Sequence, residues 1–138
     1  MPQAVRSVLA VVVGVVVAFA LVAAIETAGH AVYPVPKGLD FTNREQVRAY
    51  IQALPLGALM FVLAAWTVAP FGGGAVAALI ARARPLLHAA IVGAFVLAAT
   101  LANLILILHP LWFAVLGVVG VCVGAFAAGK LVGARFAR

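Results

Sequence analysis

Acidic residues are almost absent from this chain: Glu26, Asp40 and Glu45 are the only three in 138 residues. Charged residues of both signs make up 9% of the sequence, against about 25% in an ordinary soluble domain. That leaves too little polar surface to hold a folded domain in water. Cysteine occurs once, as Cys122 within an apolar run, which excludes an intrachain disulfide and any CxxC motif and reads as a small buried hydrophobe. Motifs of chemistry are also missing. There is no His-Glu-x-x-His, no set of histidine-rich boxes, and no Ser or Cys nucleophile beside an obvious base. Only the 34–50 connection exceeds a tight turn, so no soluble domain fits between the apolar segments.

What is present is hydrophobic length. The chain is 67% hydrophobic, with a mean hydropathy of +1.27, a composition that belongs in a bilayer. Val8 to Ile25 carries no charge over about 18 residues, or roughly 27 Å at the helical rise, close to the thickness of a hydrocarbon core. The reading is an all-α integral membrane protein, a four-helix transmembrane bundle forming one transmembrane domain, with helices over about 7–33, 43–81, 85–108 and 111–133 and an outer loop over 34–42. The first apolar stretch is longer than the 7–15 residues of a signal-peptide core, so it is expected to stay in the chain. Size and helix count resemble those of small membrane proteins of the bacterial cytoplasmic membrane.

Local signals set the expected boundaries. Pro34 and Pro36 cannot continue the first helix. Thr42-Asn43-Arg44-Glu45 has the form of a capping box opening the second, whose first turns place Glu45, Arg48 and Gln52 on one polar face at headgroup depth. Pro70, ahead of Gly72-Gly73-Gly74, predicts a kink or break, with the glycines serving close helix packing in preference to a hinge. Pro85 suits the first turn of the third helix. Thr100 and Asn103, deep in that helix, are expected to hydrogen-bond a neighbour. The spacings Gly120-x-x-x-Gly124 and Gly129-x-x-x-Gly133 suggest a close-packed face, available to a second copy or to a larger membrane complex.

The net charge of +6 sits at segment ends, where it reports orientation and excludes nucleic acid as a partner; membrane lipid is the partner expected instead. Arg6, Arg82, Arg84, Lys130, Arg135 and Arg138 fall on one side and Lys37, Arg44 and Arg48 on the other, which predicts cytoplasmic termini. All three acids, with His30 and His109, then lie at the outer face.

Candidate chemistry gathers there. Glu26 and His30 stand one helical turn apart and Tyr33 follows on the same face; His109, Trp112, Arg48 and Gln52 come out at similar depth, with Asn103 just below. Glu26, His30 and His109 could form a three-ligand site with an open position for zinc or another divalent ion. His30 and His109 also permit, without requiring, a b-type haem held between helices. Three classes of function stay open. One is a non-enzymatic accessory or structural subunit, with Glu26 paired to Arg48 or Lys37 and with Trp66 and Trp112 packing or anchoring at the interface. The second is a small transporter or metal-binding protein. The third is a lipid- or quinone-facing enzyme using Glu26 and His30 as an acid/base pair. His88, on the opposite side, reads as an interfacial polar residue.

Overall fold

Proline and left-handed residues punctuate this chain into more helices than its hydropathy suggests. The structure is a computed structural model that describes residues 1–137; Arg138, counted above for orientation, lies outside them. Within that range the chain is all-α, with α1 (Gln3–Val32), α2 (Arg44–Ala53), α3 (Leu56–Ala81), α4 (Pro85–Leu106) and α5 (Leu111–Phe136). Four of them, α1, α3, α4 and α5, at 30, 26, 22 and 26 residues, are long and apolar enough to cross a membrane.

The helix expected over 43–81 is two helices. A proline disfavours helical geometry in the residue before it, and Leu54, ahead of Pro55, is extended at φ −62° and ψ 134°. α2 therefore ends at Ala53 and α3 starts afresh at Leu56. Pro70, where a kink or break was the expectation, lies inside α3, which continues to Ala81 without a break. The expected capping box is also replaced. Asn43, not Thr42, caps α2, its side-chain oxygen accepting from the N–H groups of Glu45 (3.0 Å) and Gln46 (3.2 Å). The Thr42 hydroxyl donates to Asp40 at 2.6 Å, and these contacts from Thr42 hold the Asp40 carboxyl below its usual range.

α3 is the central helix: it packs against α1, α4 and α5, and α1 also touches α4. Its contact with α1 is made by small residues. The buried positions of the first two-thirds of α1 are Ala10, Gly14 and Ala18, spaced by four and so aligned on one face. They meet Gly73 and Ala77 of α3: a methyl placed on Gly14 would lie 2.7 Å from the Ala77 Cβ and 2.7 Å from the Gly73 carbonyl oxygen. The glycines after Pro70 thus serve packing. On the far side, Gly120 and Gly124 of α5 lie against Thr67 of α3, while Gly129 and Gly133 lie against Leu86 and Pro85 of α4. The spacings read as a face for another copy are used inside the chain. Between these seams sit the larger core side chains, among them Leu63, Trp66, Val92, Val96 and Phe113. Cys122, expected to be buried, is exposed on α5.

The two ends of the bundle differ in chemistry. At one, here the arginine end, Arg6 and Gln3 of α1 donate to the carbonyls of Ile80 (2.7 Å) and Ala81 (3.2 Å), which closes the free C-terminal carbonyls of α3. The other, the loop end, carries the 33–43 connection, α2 and the Ile107–Pro110 turn.

Candidate binding pocket

Pro55 ends α2 early, and Tyr50, Ile51 and Leu54 at its C-terminal end line a pocket of about 260 Å³ with the ends of α1, α3 and α4. Glu26 and His30 enter it from α1, Tyr33 from the residue that follows α1, Asn103 from α4 and His109 from the turn after α4. Phe61 and Val62 of α3 form an apolar wall.

Each polar side chain is placed by its local backbone. Glu26 and His30 stand one turn apart on α1, Glu26 half-buried and His30 exposed. Tyr33, the last residue before Pro34, folds back toward α3, its ring 6.2 Å edge-on to Phe61. Room for its hydroxyl exists because position 57 is glycine: a methyl there would lie 2.8 Å from the Tyr33 Cζ.

His109 is the most constrained of the set. Its Nδ1 lies 2.8 Å from the Ile107 carbonyl oxygen; a carbonyl only accepts, so Nδ1 carries the proton and Nε2 keeps its lone pair. The ring stacks on Phe113 at 4.7 Å and 11° and meets Trp66 edge-on at 6.4 Å. Burial among these rings pushes the His109 pKa below the ordinary histidine value, against the opposing pull of the Ile107 hydrogen bond. Above the unfolded-state value of about 6.5 both states are neutral; below it the unfolded chain takes up the proton first, so stability falls as pH drops toward the folded-state pKa. A nitrogen NMR titration of His109 is therefore expected to place its pKa below the ordinary histidine value. The unfolding midpoint in detergent should fall between pH 7.5 and 5, with a smaller fall in His109→Phe. A ring that charges at or above the ordinary value would contradict this.

Asn103 adds an unsatisfied group. Its Oδ1 is buried without a hydrogen-bond partner, as is the Thr100 hydroxyl one turn earlier, so the interhelical hydrogen bonds expected of these two residues are not made. A buried amide oxygen left unpaired costs about 1–3 kcal/mol, and Asn103 lines the pocket.

The sequence-derived candidates divide accordingly. Glu26, His30, Tyr33, Asn103 and His109 share the pocket; Arg48 lines a separate recess beside Ile105–Leu108. Gln52 and Trp112 are exposed and outside the pocket lining. Glu26, His30 and His109 line one space, yet among the described residues no three His, Cys, Asp or Glu side chains are grouped so as to hold a metal ion. Tyr50, Phe41 and Phe61 also line the pocket and were not singled out from sequence; Pro55, which ends α2, was the available signal. Comparison with protein-family models, curated proteins and solved structures finds no match to this chain.

Proposed function

We propose that this chain is a small polytopic integral membrane protein of the bacterial cytoplasmic membrane with both termini inside. In this reading it is a non-enzymatic accessory subunit whose loop-end pocket holds the hydroxyl- or ammonium-bearing headgroup of an amphiphilic ligand at the outer surface. The observation that carries the reading is the acceptor-rich lining: the unpartnered Asn103 Oδ1, the His109 Nε2 lone pair left by the Ile107 hydrogen bond, and the Glu26 carboxylate. A ligand bringing N–H or O–H donors answers all three, and the Phe61, Ile51 and Leu54 side chains meet its apolar body. At about 260 Å³ the space suits a headgroup, being smaller than the roughly 300–1,000 Å³ of pockets that take whole drug-sized ligands.

The test is chemical analysis of detergent-purified protein: mass spectrometry of the organic extract, with elemental analysis alongside. One donor-bearing amphiphile is expected to co-purify and to be lost from Asn103→Leu. Near-stoichiometric zinc, copper or iron that both His30→Ala and His109→Ala lose would replace this reading with a metal site. For orientation, a carboxy-terminal fluorescent-protein fusion should fluoresce and a phosphatase fused at Gly38 should be active; the reverse pattern refutes cytoplasmic termini.

A further inference from the structure

The arginine end holds a second site that the loop-end pocket does not explain. Two consecutive turns of chain chemistry create it. Arg82 and Arg84 both have left-handed backbones, at φ 56° and φ 45°, a conformation costing roughly 1–2 kcal/mol for residues other than glycine. The tight reversal they make between α3 and α4 sets Arg84 at the mouth of a groove of about 550 Å³ between α1 and α4. The groove has one polar end, formed by Gln3, Ser7, Arg84 and His88, and an apolar run beyond it that includes Val8, Val12, Leu87 and Ile91.

His88 makes this end more than a cationic edge. It is 5% exposed and lines the groove, and its Nδ1 lies 3.1 Å from the Arg84 carbonyl oxygen. The carbonyl accepts, so Nδ1 donates, and Nε2 is left to meet a headgroup hydroxyl. That same carbonyl also accepts the N–H groups of Leu87 and His88, tying the ring, the Arg84 backbone and the first turn of α4 into one unit. Charge here is uncompensated: Arg6, Arg82 and Arg84 belong to the end of the bundle opposite to the one that carries Glu26, Asp40 and Glu45. A neighbouring groove between α4 and α5 shares Arg84 and adds Lys130.

We infer that the α1/α4 groove is a binding site for one anionic phospholipid, with the phosphate at Arg84 and Ser7, a headgroup hydroxyl on His88, and an acyl chain along Val8, Val12, Leu87 and Ile91. The charge selects against a zwitterionic lipid, whose ammonium would be brought up to the arginines. The polarity gradient runs along the helix axes, as it does in a phospholipid, and a second copy of this chain would bring an equally basic end up to the same arginines. The inference rests on the membrane placement proposed above, and the two fail separately. Extraction of the chain from membranes at alkaline pH would refute the placement, whereas retention with no lipid preference refutes the site alone.

Native mass spectrometry of the full chain, released from detergent after incubation with equal amounts of phosphatidylglycerol and phosphatidylcholine, tests it. One phosphatidylglycerol per chain is expected, retained at least about fivefold over phosphatidylcholine, the order that a single basic residue near an anionic lipid supplies. Arg84→Asn removes the charge with a residue that tolerates the left-handed backbone, and Val12→Phe fills the groove without touching charge; each should bring retention down to the phosphatidylcholine level. Arg48→Gln, at the other end, should change nothing. Equal retention of the two lipids overturns the site. So does loss with Arg84→Asn but not with Val12→Phe, which would mean diffuse surface attraction. Should Arg84→Asn fail to fold, Val12→Phe alone decides.

Discussion

Gly73→Leu is expected to prevent the bundle from forming, and Gly73→Ala to lower its unfolding midpoint clearly. At this position the backbones of α1 and α3 touch: a methyl on Gly73 would collide with the Gly14 carbonyl oxygen and lie 2.7 Å from the Ala18 Cβ and 3.0 Å from the Ala18 nitrogen. None of these is a flexible side-chain tip that could swing away; two are backbone atoms, so the helices themselves must part. Overpacking a core by a methyl or more typically costs about 1–3 kcal/mol. In a bilayer the separated helices also lose little by facing lipid, because the attraction between them comes from close packing and not from hydrophobic exclusion. α1 is especially exposed to this loss, since Ala10, Gly14, Ala18 and Gly29 are its only buried positions. The measurement is the detergent unfolding midpoint and size-exclusion profile of Gly73→Ala and Gly73→Leu, beside Ala23→Leu on the exposed face of α1, which should behave as the parent. A parent-like midpoint for Gly73→Leu would refute the α1–α3 contact.

The second large effect is expected from Phe113→Ala. Phe113 is fully buried at the start of α5, stacked on His109 and edge-on to Trp66 at 5.3 Å, with Trp112 edge-on at 5.9 Å. Truncating a buried phenylalanine typically costs about 3–5 kcal/mol in a water-soluble core, of which the packing part survives in a membrane. The change also takes away the plane that holds His109, so the pocket should lose its fixed imidazole even where the helices persist. Expected results in a Trp112→Phe background are a lower unfolding midpoint, a red shift in Trp66 emission, and weaker retention of the pocket ligand. Phe113→Leu, which keeps volume but not the stack, should restore much of the midpoint and less of the ligand retention. Unchanged Trp66 emission in Phe113→Ala would show that the ring cluster is not packed as described.

How much of this the residues disclosed depends on whether the controlling physics is local. Asparagine capping at Asn43, the stop at Pro34, the restart at Pro85 and the break at Pro55 each follow from one or two residues; the helix expected over 43–81 took no account of Pro55. Glu26, His30 and Tyr33 were legible as a set because helical spacing alone puts them on one face. Tyr50 and Phe61 were not, since nothing in their own neighbourhood says what α2 folds against.

The sequence by itself determined the class, all-α with four helices long and apolar enough to cross a membrane: apolar runs of sufficient length and charges confined to their ends depend only on composition along the chain, although the second long helix begins at Leu56 and not at 43. Only the tertiary structure decided which faces meet. A helix destined for lipid is apolar all round, so polarity carries almost no record of its inward side. That record lies in the small residues: Ala10, Gly14 and Ala18 against Gly73 and Ala77, and Gly120 and Gly124 against Thr67. Those seams set helix rotation and depth, and through them bring Asn103 and His109 to the pocket that Glu26 and His30 share. Convergence of this kind is a property of four packed helices together, which no single stretch of the chain encodes.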